Sequence, residues 1–513
     1  MPMPRGRAAV PGRAVADAAF AAVLGAAQTL AYVETAAWPL QMLAVALFAW
    51  RVGRASPPRA ALLGFCYGTA WLGAGTWWLF ISLHRYGGLP AWLAALAVLA
   101  LAAFLSLYLA AAMAAVAAWR GRGPLIGASL FAATWLLAEL ARGVVFTGFP
   151  WLASGYAQVD SPLGGFAPWT GVYGVGSIAA GLAAAFGLSD LRAWRAWLAP
   201  CMALLVAVVL GAAAGSADFT QSVGSLTVTL FQNNVPQDEK FEARYVPQAL
   251  ALTADQLDTA RGDLVVGPET VIPLLPAELD DSWWQSVLAR FRRPGRAALL
   301  GLPLGNEQAG YTNSAAGIDA GSTREAEGFY RYDKHHLVPF GEFVPTGFHW
   351  FTRLMNIPLG DFNRGPVTAP SFAFKGQRVA PNICYEDLFG EELAARFVPQ
   401  ESAPTILANL SNIGWFGETI AVAQHLQISR MRTLELQRPM IRATNTGATA
   451  VIDHRGIVTA SLAPFTRGAL EASVEGRTGT TPFAAWAGRF GLWPLLGAGL
   501  LPVLLAFAVR RRP

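Results

Sequence analysis

Two patterns of apolar residues divide the chain. In the first, long runs with almost no charge occupy roughly residues 15–33, 37–50, 60–83, 89–119, 124–141, 168–189 and 193–214, and again about 485–509. A bilayer core of about 30 Å is crossed by roughly 20 apolar residues in a helix, so the runs predict a polytopic α-helical membrane bundle of about eight helices. The second run is short and the fourth long. The first does not read as a cleaved signal peptide, because the next follows almost at once and no A-x-A site is clear.

In the second pattern the runs shorten. SLTVTLFQ (225–232), DLVVGPE (263–269), AALLGLPL (297–304), FYRYDK (329–334), VAPNICYE (379–386), PTILANLS (404–411), MIRATNTG (440–447) and TAVIDHRG (449–456) read as strands. Helical patterns fill 243–261, 281–292, 389–397 and 420–437. Buried strands alternating with amphipathic helices predict a layered α/β domain. The expected organisation is a membrane domain over 1–219 with about seven helices, an α/β domain over 220–483, and a last membrane helix with a short tail over 484–513.

Arginine placement orients these parts. Arg5, Arg7 and Arg13 precede the first run, and Arg51, Arg54 and Arg59 separate the second from the third. Arg120 and Arg122, then Arg192 and Arg195, mark two further short loops, and Arg510, Arg511 and Arg512 follow the last run. With seven crossings before the α/β domain and one after, every cluster falls on one side, which the positive-inside rule makes the cytoplasm. Arg85 and Arg142 stand outside the clusters, each alone. The α/β domain is expected to face outward, with both termini inside. Two outward loops, HRYGGLPAW (84–92) and 142–169, are unusually apolar, and the second is too long for a plain connector. Glu139 and Arg142 read as a structural ion pair at its start.

Composition agrees. Hydrophobic residues make up 54% of the 513 and charged residues 14%, against about 25% charged in an average soluble domain. The net charge of +5 comes almost wholly from Arg, since Lys240, Lys334 and Lys375 are the only lysines. A nucleic-acid partner needs a basic face; here the arginines punctuate apolar runs, so none is expected. Cys66 and Cys201 lie inside such runs and leave Cys384 without a soluble partner, so no disulfide framework is expected. No dimer seam is conspicuous, and a monomer is expected.

Chemistry centres on RVAPNICYEDLFGEE (378–392), an apolar strand that ends at Cys384 and opens into a polar turn. Backbone N–H groups at such a turn favour a thiolate and a developing oxyanion. Alone the pattern is weak, since a strand-end Cys is more often an inert small hydrophobe. Two further strand ends supply partners. Glu269 could take the thiol proton and return it to a leaving group. The Lys334 ammonium, with the Tyr385 backbone N–H, could stabilise a tetrahedral oxyanion. A solvated Glu cap and a surface Lys are the plain alternatives, although Lys is rare here and Arg does not replace it at a point-charge site. His335 and His336 lack metal-ligand spacing, and a histidine general base paired with Cys384 is a further alternative.

The segments G-P-E (267–269), Y-D-K-H-H-L-V-P-F-G-E-F-V-P (332–345) and N-I-C-Y-E-D (382–387) resemble the Glu–Lys–Cys motifs of the nitrilase superfamily. With F-T-G-F-P-W-L (146–152), S-N-I-G-W-F-G (411–417), Q-H-L-Q-I-S-R-M-R-T-L-E-L (424–436) and R-A-T-N-T-G (442–447), the chain resembles, more narrowly, the bacterial inner-membrane apolipoprotein N-acyltransferase family. The resemblance spans essentially the whole chain. It implies a periplasmic nitrilase-like αββα sandwich, with Glu269 as general base, Lys334 as oxyanion stabiliser and Cys384 as nucleophile. It also implies that Glu342 holds the lysine and that Tyr385 and Glu386 support the nucleophile. No cofactor or metal is implied. The implied reaction is a ping-pong transfer: Cys384 takes an acyl chain from a phospholipid, and the α-amine of a diacylglyceryl-cysteine apolipoprotein then attacks the thioester. Phe146, Trp151, Trp415, Phe416 and Phe241, with FVPTGFHWF (343–351), are candidates for lipid-contacting walls or a lid. The chain departs from the family at Ile413, where an acidic residue is usual, and at Phe241, where a tryptophan is expected. Two other readings compete: a membrane-tethered nitrilase-type amidase, and a transporter or sensor with a degenerate nitrilase-like domain.

Overall fold

The computed structural model describes residues 11–119, 123–190, 192–348 and 361–510. Arg5, Arg7, Arg120, Arg122, Arg511, Arg512 and positions 349–351 of the FVPTGFHWF stretch lie outside the described residues. Among the described residues the first part folds into seven long helices: α1 (Pro11–Ala27), α2 (Trp38–Val52), α3 (Pro57–Thr76), α4 (Ala91–Trp119), α5 (Pro124–Val144), α6 (Ala167–Gly187) and α7 (Leu198–Gly215), joined by short turns.

With adjoining 3-10 turns, five stretches are long and apolar enough to cross a membrane: 13–32, 91–119, 124–147, 162–187 and 194–215. The predicted polytopic bundle is present, and of its eight runs those of α2 and α3 fall below this length-and-composition measure. At 15 residues, α2 rises only about 22 Å. Helix α3 opens on two prolines and an arginine and carries four glycines, which dilutes its apolar character. A sixth crossing is counted only if Pro482–Phe490 and the helix after it form one span, and these are bent by 91°. Gly491, at φ +55°, occupies the break. Phe483, Ala484 and Ala487 pack against Leu393 and Phe397 of the α/β part, so the front of the eighth apolar run serves that core instead.

Twelve strands form two six-stranded sheets. The first contains β1 (Thr220–Gln232), β2 (Leu264–Val266), β3 (Ala297–Asn306), β4 (Gly310–Ile318) and β5 (Tyr330–Asp333), with the last strand, β12 (Gly468–Gly479), on its edge in the order β12-β1-β2-β3-β4-β5. The second, in the order β11-β10-β9-β8-β7-β6, contains β6 (Phe372–Phe374), β7 (Gln377–Ile383), β8 (Ile406–Ser411), β9 (Met440–Thr444), β10 (Ala450–Ile452) and β11 (Val458–Ser461). In each sheet three consecutive strands run parallel, β1-β2-β3 and β7-β8-β9. The loops beyond their C-terminal ends are the natural place for a site.

Val228, Leu230, Leu264 and Val266 of one sheet share a core with Val379, Ile383, Ile406 and Ile441 of the other. Helices α8 (Val246–Thr259) and α9 (Asp281–Phe291) cover the first sheet's outer face through Leu257, Trp284, Leu288 and Phe291. The result is the expected αββα sandwich. Strands β4, β6, β11 and β12 were not foreseen. Small residues in β4 (GYTNSAAGI) and polar alternation in β12 (GALEASVEGRTG) hide their strand character, which comes from pairing and burial more than from side-chain propensity.

Helix α10 (Ala421–Leu436) covers the second sheet and also meets α6 of the bundle. It is buried nearly all round, although Gln424, His425, Ser429, Arg432 and Glu435 lie on it. Buried polar groups must find partners, and several of these find them in the bundle. Gln424 accepts from the indole N–H of Trp78 (3.1 Å) and Trp151 (2.9 Å) and donates to the Gly75 carbonyl (3.0 Å). Glu435 accepts from the Val172 N–H at 2.6 Å. Arg430 pairs with Asp160 in the 142–169 loop. At the start of that loop, Glu139 accepts from the N–H and hydroxyl of Ser154 and pairs with Arg142 at 3.3 Å. Arg142 in turn donates to the Phe149 and Leu152 carbonyls. The Gln424→Leu variant should leave the Trp151 N–H buried without a partner and lose about 1–3 kcal/mol. A lowered melting midpoint of the detergent-solubilised protein is the check.

Candidate active site

The three strand-end candidates meet. β2 stops at Val266, and Gly267-Pro268 carries the chain to Glu269, three residues beyond the strand. Gly301 on neighbouring β3 allows this approach: a Cβ there would lie 2.5 Å from the Pro268 carbonyl oxygen and 2.8 Å from the Glu269 Cα. Lys334 directly follows β5, and Cys384 directly follows β7.

Lys334 is 1% exposed. Its Nζ donates to Glu342 Oε1 at 2.9 Å and lies 3.4 Å from Glu269 Oε1. Asn313 Nδ2, from β4, bridges the same two carboxylates at 2.8 Å (Glu269) and 2.6 Å (Glu342). Glu342 is fixed further by the Val338 N–H on Oε2, 2.8 Å away. The two anions outweigh the penalty of burial and push the Lys334 ammonium well above its ordinary pKa, so it stays charged at any working pH.

Cys384 has φ +52° and opens a 3-10 turn through Leu388. A non-glycine residue in that region costs on the order of 1–3 kcal/mol and persists only where the surroundings impose it. Here they do. Glu386 caps the turn, accepting from the Ile383 N–H (2.6 Å), the His335 N–H (2.7 Å) and the Tyr332 hydroxyl (2.8 Å). His425 Nε2 lies 3.2 Å from the Cys384 carbonyl, and its Nδ1 lies 2.9 Å from Arg442. Burial and the neighbouring guanidinium hold the His425 pKa well below its usual value. The ring is thus neutral, accepting from Arg442 and donating to the turn. Tyr385 reaches away from the sheet and donates to the Gly148 carbonyl at 2.9 Å.

Burial and then the Glu269 carboxylate push the Cys384 thiol up to about 12, against the opposing pull of Lys334 and the Asn412 N–H. The resting sulfur is therefore a neutral thiol, and it becomes nucleophilic only when a base takes its proton. The sulfur is partly accessible and packs against both the inter-sheet core and the core shared by the bundle and α10.

Residues 24–185 match the family described as the apolipoprotein N-acyltransferase N-terminal domain, and residues 228–483 match carbon-nitrogen hydrolase. The apolipoprotein N-acyltransferase of Verminephrobacter eiseniae is 50% identical over 483 residues, covering 89% of each chain. That of Ralstonia nicotianae is 48% identical over 96% of this chain and 94% of its own. The chain belongs to the apolipoprotein N-acyltransferase family. A solved carbon-nitrogen hydrolase of Helicobacter pylori is similar at 15% identity over 53% of this chain and 94% of its own, with a TM-score of 0.36, which is too shallow to add to the family match.

The acyltransferase-family aromatics divide into groups. Trp151, Phe416 and Trp78 pack ring to ring at 4.2–5.8 Å, and Trp151 also stacks on His425 at 5.6 Å. Phe241 stacks on Trp415 at 6.1 Å, and Trp415 meets Tyr86 edge-on at 5.7 Å. Phe146 stands apart: it is 75% exposed and meets Phe104 of α4. Ile413 is fully buried in the core that reaches into the bundle. Its loop is held by Asn412, which donates to Gln237 (2.8 Å) and accepts from Asn445 (3.1 Å).

Asn313, His425, Arg442 and Lys240 were not singled out from the sequence. The rarity of lysine was a usable signal for Lys240, and the His425 motif segment for His425; Asn313 carried no signal. Among the described residues no His/Cys/Asp/Glu group could hold a metal ion. In Glu386→Gln an amide N–H₂ would face several donors at the turn, and the displaced Cys384 should lose about 10²-fold in reaction rate. Single-turnover acylation of the variant, beside an unchanged circular dichroism spectrum, is the check.

Proposed function

We propose that this chain transfers an acyl group from a phospholipid to the α-amine of a diacylglyceryl-cysteine apolipoprotein. The observation that carries the reading is the place of Cys384, at the junction of the sandwich core and the core of the bundle, beside a buried carboxylate–ammonium pair. Glu269 takes the Cys384 proton as sulfur attacks the ester carbonyl. Lys334 and N–H groups of the Cys384 turn stabilise the oxyanion. Glu269 then protonates the departing glyceryl oxygen as the carbon–oxygen bond breaks and a lysophospholipid leaves. In the second half the acceptor amine attacks the thioester, gives a proton to Glu269, and the sulfur leaves. A thioester must be kept from water until the amine arrives, which the aromatic packing of Trp151, Phe416 and Trp78 favours.

On this reading residues 1–219 and 484–513 form the membrane part and 220–483 the catalytic domain. That domain faces the periplasm of the inner membrane, both termini are cytoplasmic, and the protein works as a monomer without a cofactor. A membrane-tethered amidase would use the same three residues but gains nothing from placing its sulfur beside the bundle. A degenerate binding domain has no need of the buried base and ammonium.

Phospholipid with a labelled acyl chain should leave a hydroxylamine-labile label on the wild type and none on Cys384→Ala. A wild type that never takes label rejects the reading, and release of the label to water in place of a diacylated lipopeptide favours the amidase. Lys334→Arg should lose activity by about 10²-fold or more, since a planar guanidinium cannot fit between Glu269 and Glu342 as a compact point charge. Near-normal labelling of that variant would assign the oxyanion to backbone groups alone.

A further inference from the structure

The Glu269–Lys334 cluster leaves one charge to be accounted for. Two carboxylates, Glu269 and Glu342, share the Lys334 ammonium, and no second cation pairs with either side chain among the described residues. Glu386 needs none, because Tyr332 and backbone N–H groups satisfy it, and Asp387 already has Arg442 at 3.4 Å. The remaining cation nearby is Lys240. It ends the short helix Gln237–Lys240, is 5% exposed, and donates from Nζ to the Glu269 backbone carbonyl at 2.8 Å.

That helix is anchored on three sides. Gln237 accepts from Asn412, Asp238 pairs with Arg85 of the 84–92 loop at 2.5 Å, and Phe241 stacks on Trp415. Lys240 is thus carried into the site by a segment that both the bundle and the sandwich hold. A buried ammonium on a lone carbonyl is costly; burial disfavours its charge, and the nearby Glu269 carboxylate favours it.

We propose that Lys240 is a positioning residue for acyl transfer: its ammonium fixes the Glu269 loop and balances the second carboxylate, so that the Cys384 thiolate forms in a neutral cluster. The charges close. Before attack the cluster holds two anions, Glu269 and Glu342, and two cations, Lys334 and Lys240; after the proton moves from sulfur to Glu269, the anions are the thiolate and Glu342 and the cations are unchanged. Without Lys240 the cluster carries an extra negative charge throughout, which opposes thiolate formation.

The inference rests on the acyl-transfer reading for its catalytic part, and the test separates the two. Iodoacetamide alkylation of Cys384 in the full-length, detergent-solubilised protein, followed by peptide mass spectrometry so that Cys66 and Cys201 do not interfere, reports the thiolate directly. Lys240→Met, with a retained melting transition, should alkylate about tenfold or more slowly at pH 7.5, equivalent to a thiol pKa raised by about one unit, and Lys240→Arg should recover most of that loss. A Met variant that alkylates like the wild type overturns the inference. If Lys240→Met fails to fold, the wild type decides. Burial lowers the Lys240 pKa to about 8, so its charge is present below that pH and lost above it. Lys334 remains charged and His425 neutral across this range. Acyl-enzyme formation should fall as pH rises through about 8, and a rate that holds or climbs to pH 9.5 overturns the inference. A wild type that takes no label at any pH rejects acyl transfer, while alkylation still judges Lys240.

Discussion

A lysine taken out of water between two carboxylates sets the terms for the rest of the sandwich. Removing Lys334 from solvent is tolerable only with its counter-charges in place, and those come from two parts of the chain, the loop after β2 and the segment after β5, while the Asn313 amide of β4 ties both anions together. Neither carboxylate can shift alone without disturbing the pairing of a buried charge. The cluster therefore fixes the ends of β2 and β5 relative to β4. The turn carrying Cys384 is brought to the same place by Glu386, whose carboxylate gathers N–H groups from before β7's end and from the segment after Lys334. Glu269, Lys334 and Cys384 are thus brought together by buried polar groups drawn from both sheets.

The same logic explains the polar face of α10. A helix between a sheet and a membrane bundle would ordinarily be apolar all round. Here Gln424, His425 and Glu435 project into both neighbours, and each has a partner fixed by direction, not merely by size. Apolar contact alone would let the sandwich slide over the bundle. Directed bonds from buried groups do not, because a slip of an ångström or two leaves several unsatisfied. Trp151, which lies in the long loop of the bundle, stacks on the His425 that holds the Cys384 carbonyl. The membrane part thereby reaches the Cys384 backbone through a single intervening ring.

Sequence patterns revealed the elements that owe their form to burial. The strands β2, β3, β7 and β8 are apolar runs, and Glu269 and Cys384 lie beyond the ends of β2 and β7, as Lys334 lies beyond β5, so all three are legible in the sequence. What escaped were features set by pairing. Strands β4 and β12 carry residues of low strand propensity and are held by their neighbours. Asn313 and His425 act through hydrogen bonds to elements distant in sequence, which no local pattern records. The last apolar run shows the opposite limit. Apolar length does not distinguish a helix facing lipid from one facing protein, so the run near 485 was read as one span although its first turns pack on the sandwich.

At Ile413, where the resemblance implies an acidic residue, the network is anchored in another way. The side chain lies in the apolar core beneath the bundle, where a carboxylate would need a partner. The neighbouring Asn412 instead carries the polar work, joining the ends of β8 and β9 to the helix that delivers Lys240. The loop is thus anchored by a neutral amide, and no charge is added within reach of the thiol. That matters because the thiol is already held protonated by burial and by Glu269. A further carboxylate would raise its pKa again, whereas an amide leaves the balance between Cys384 and its base to the charges of the cluster itself.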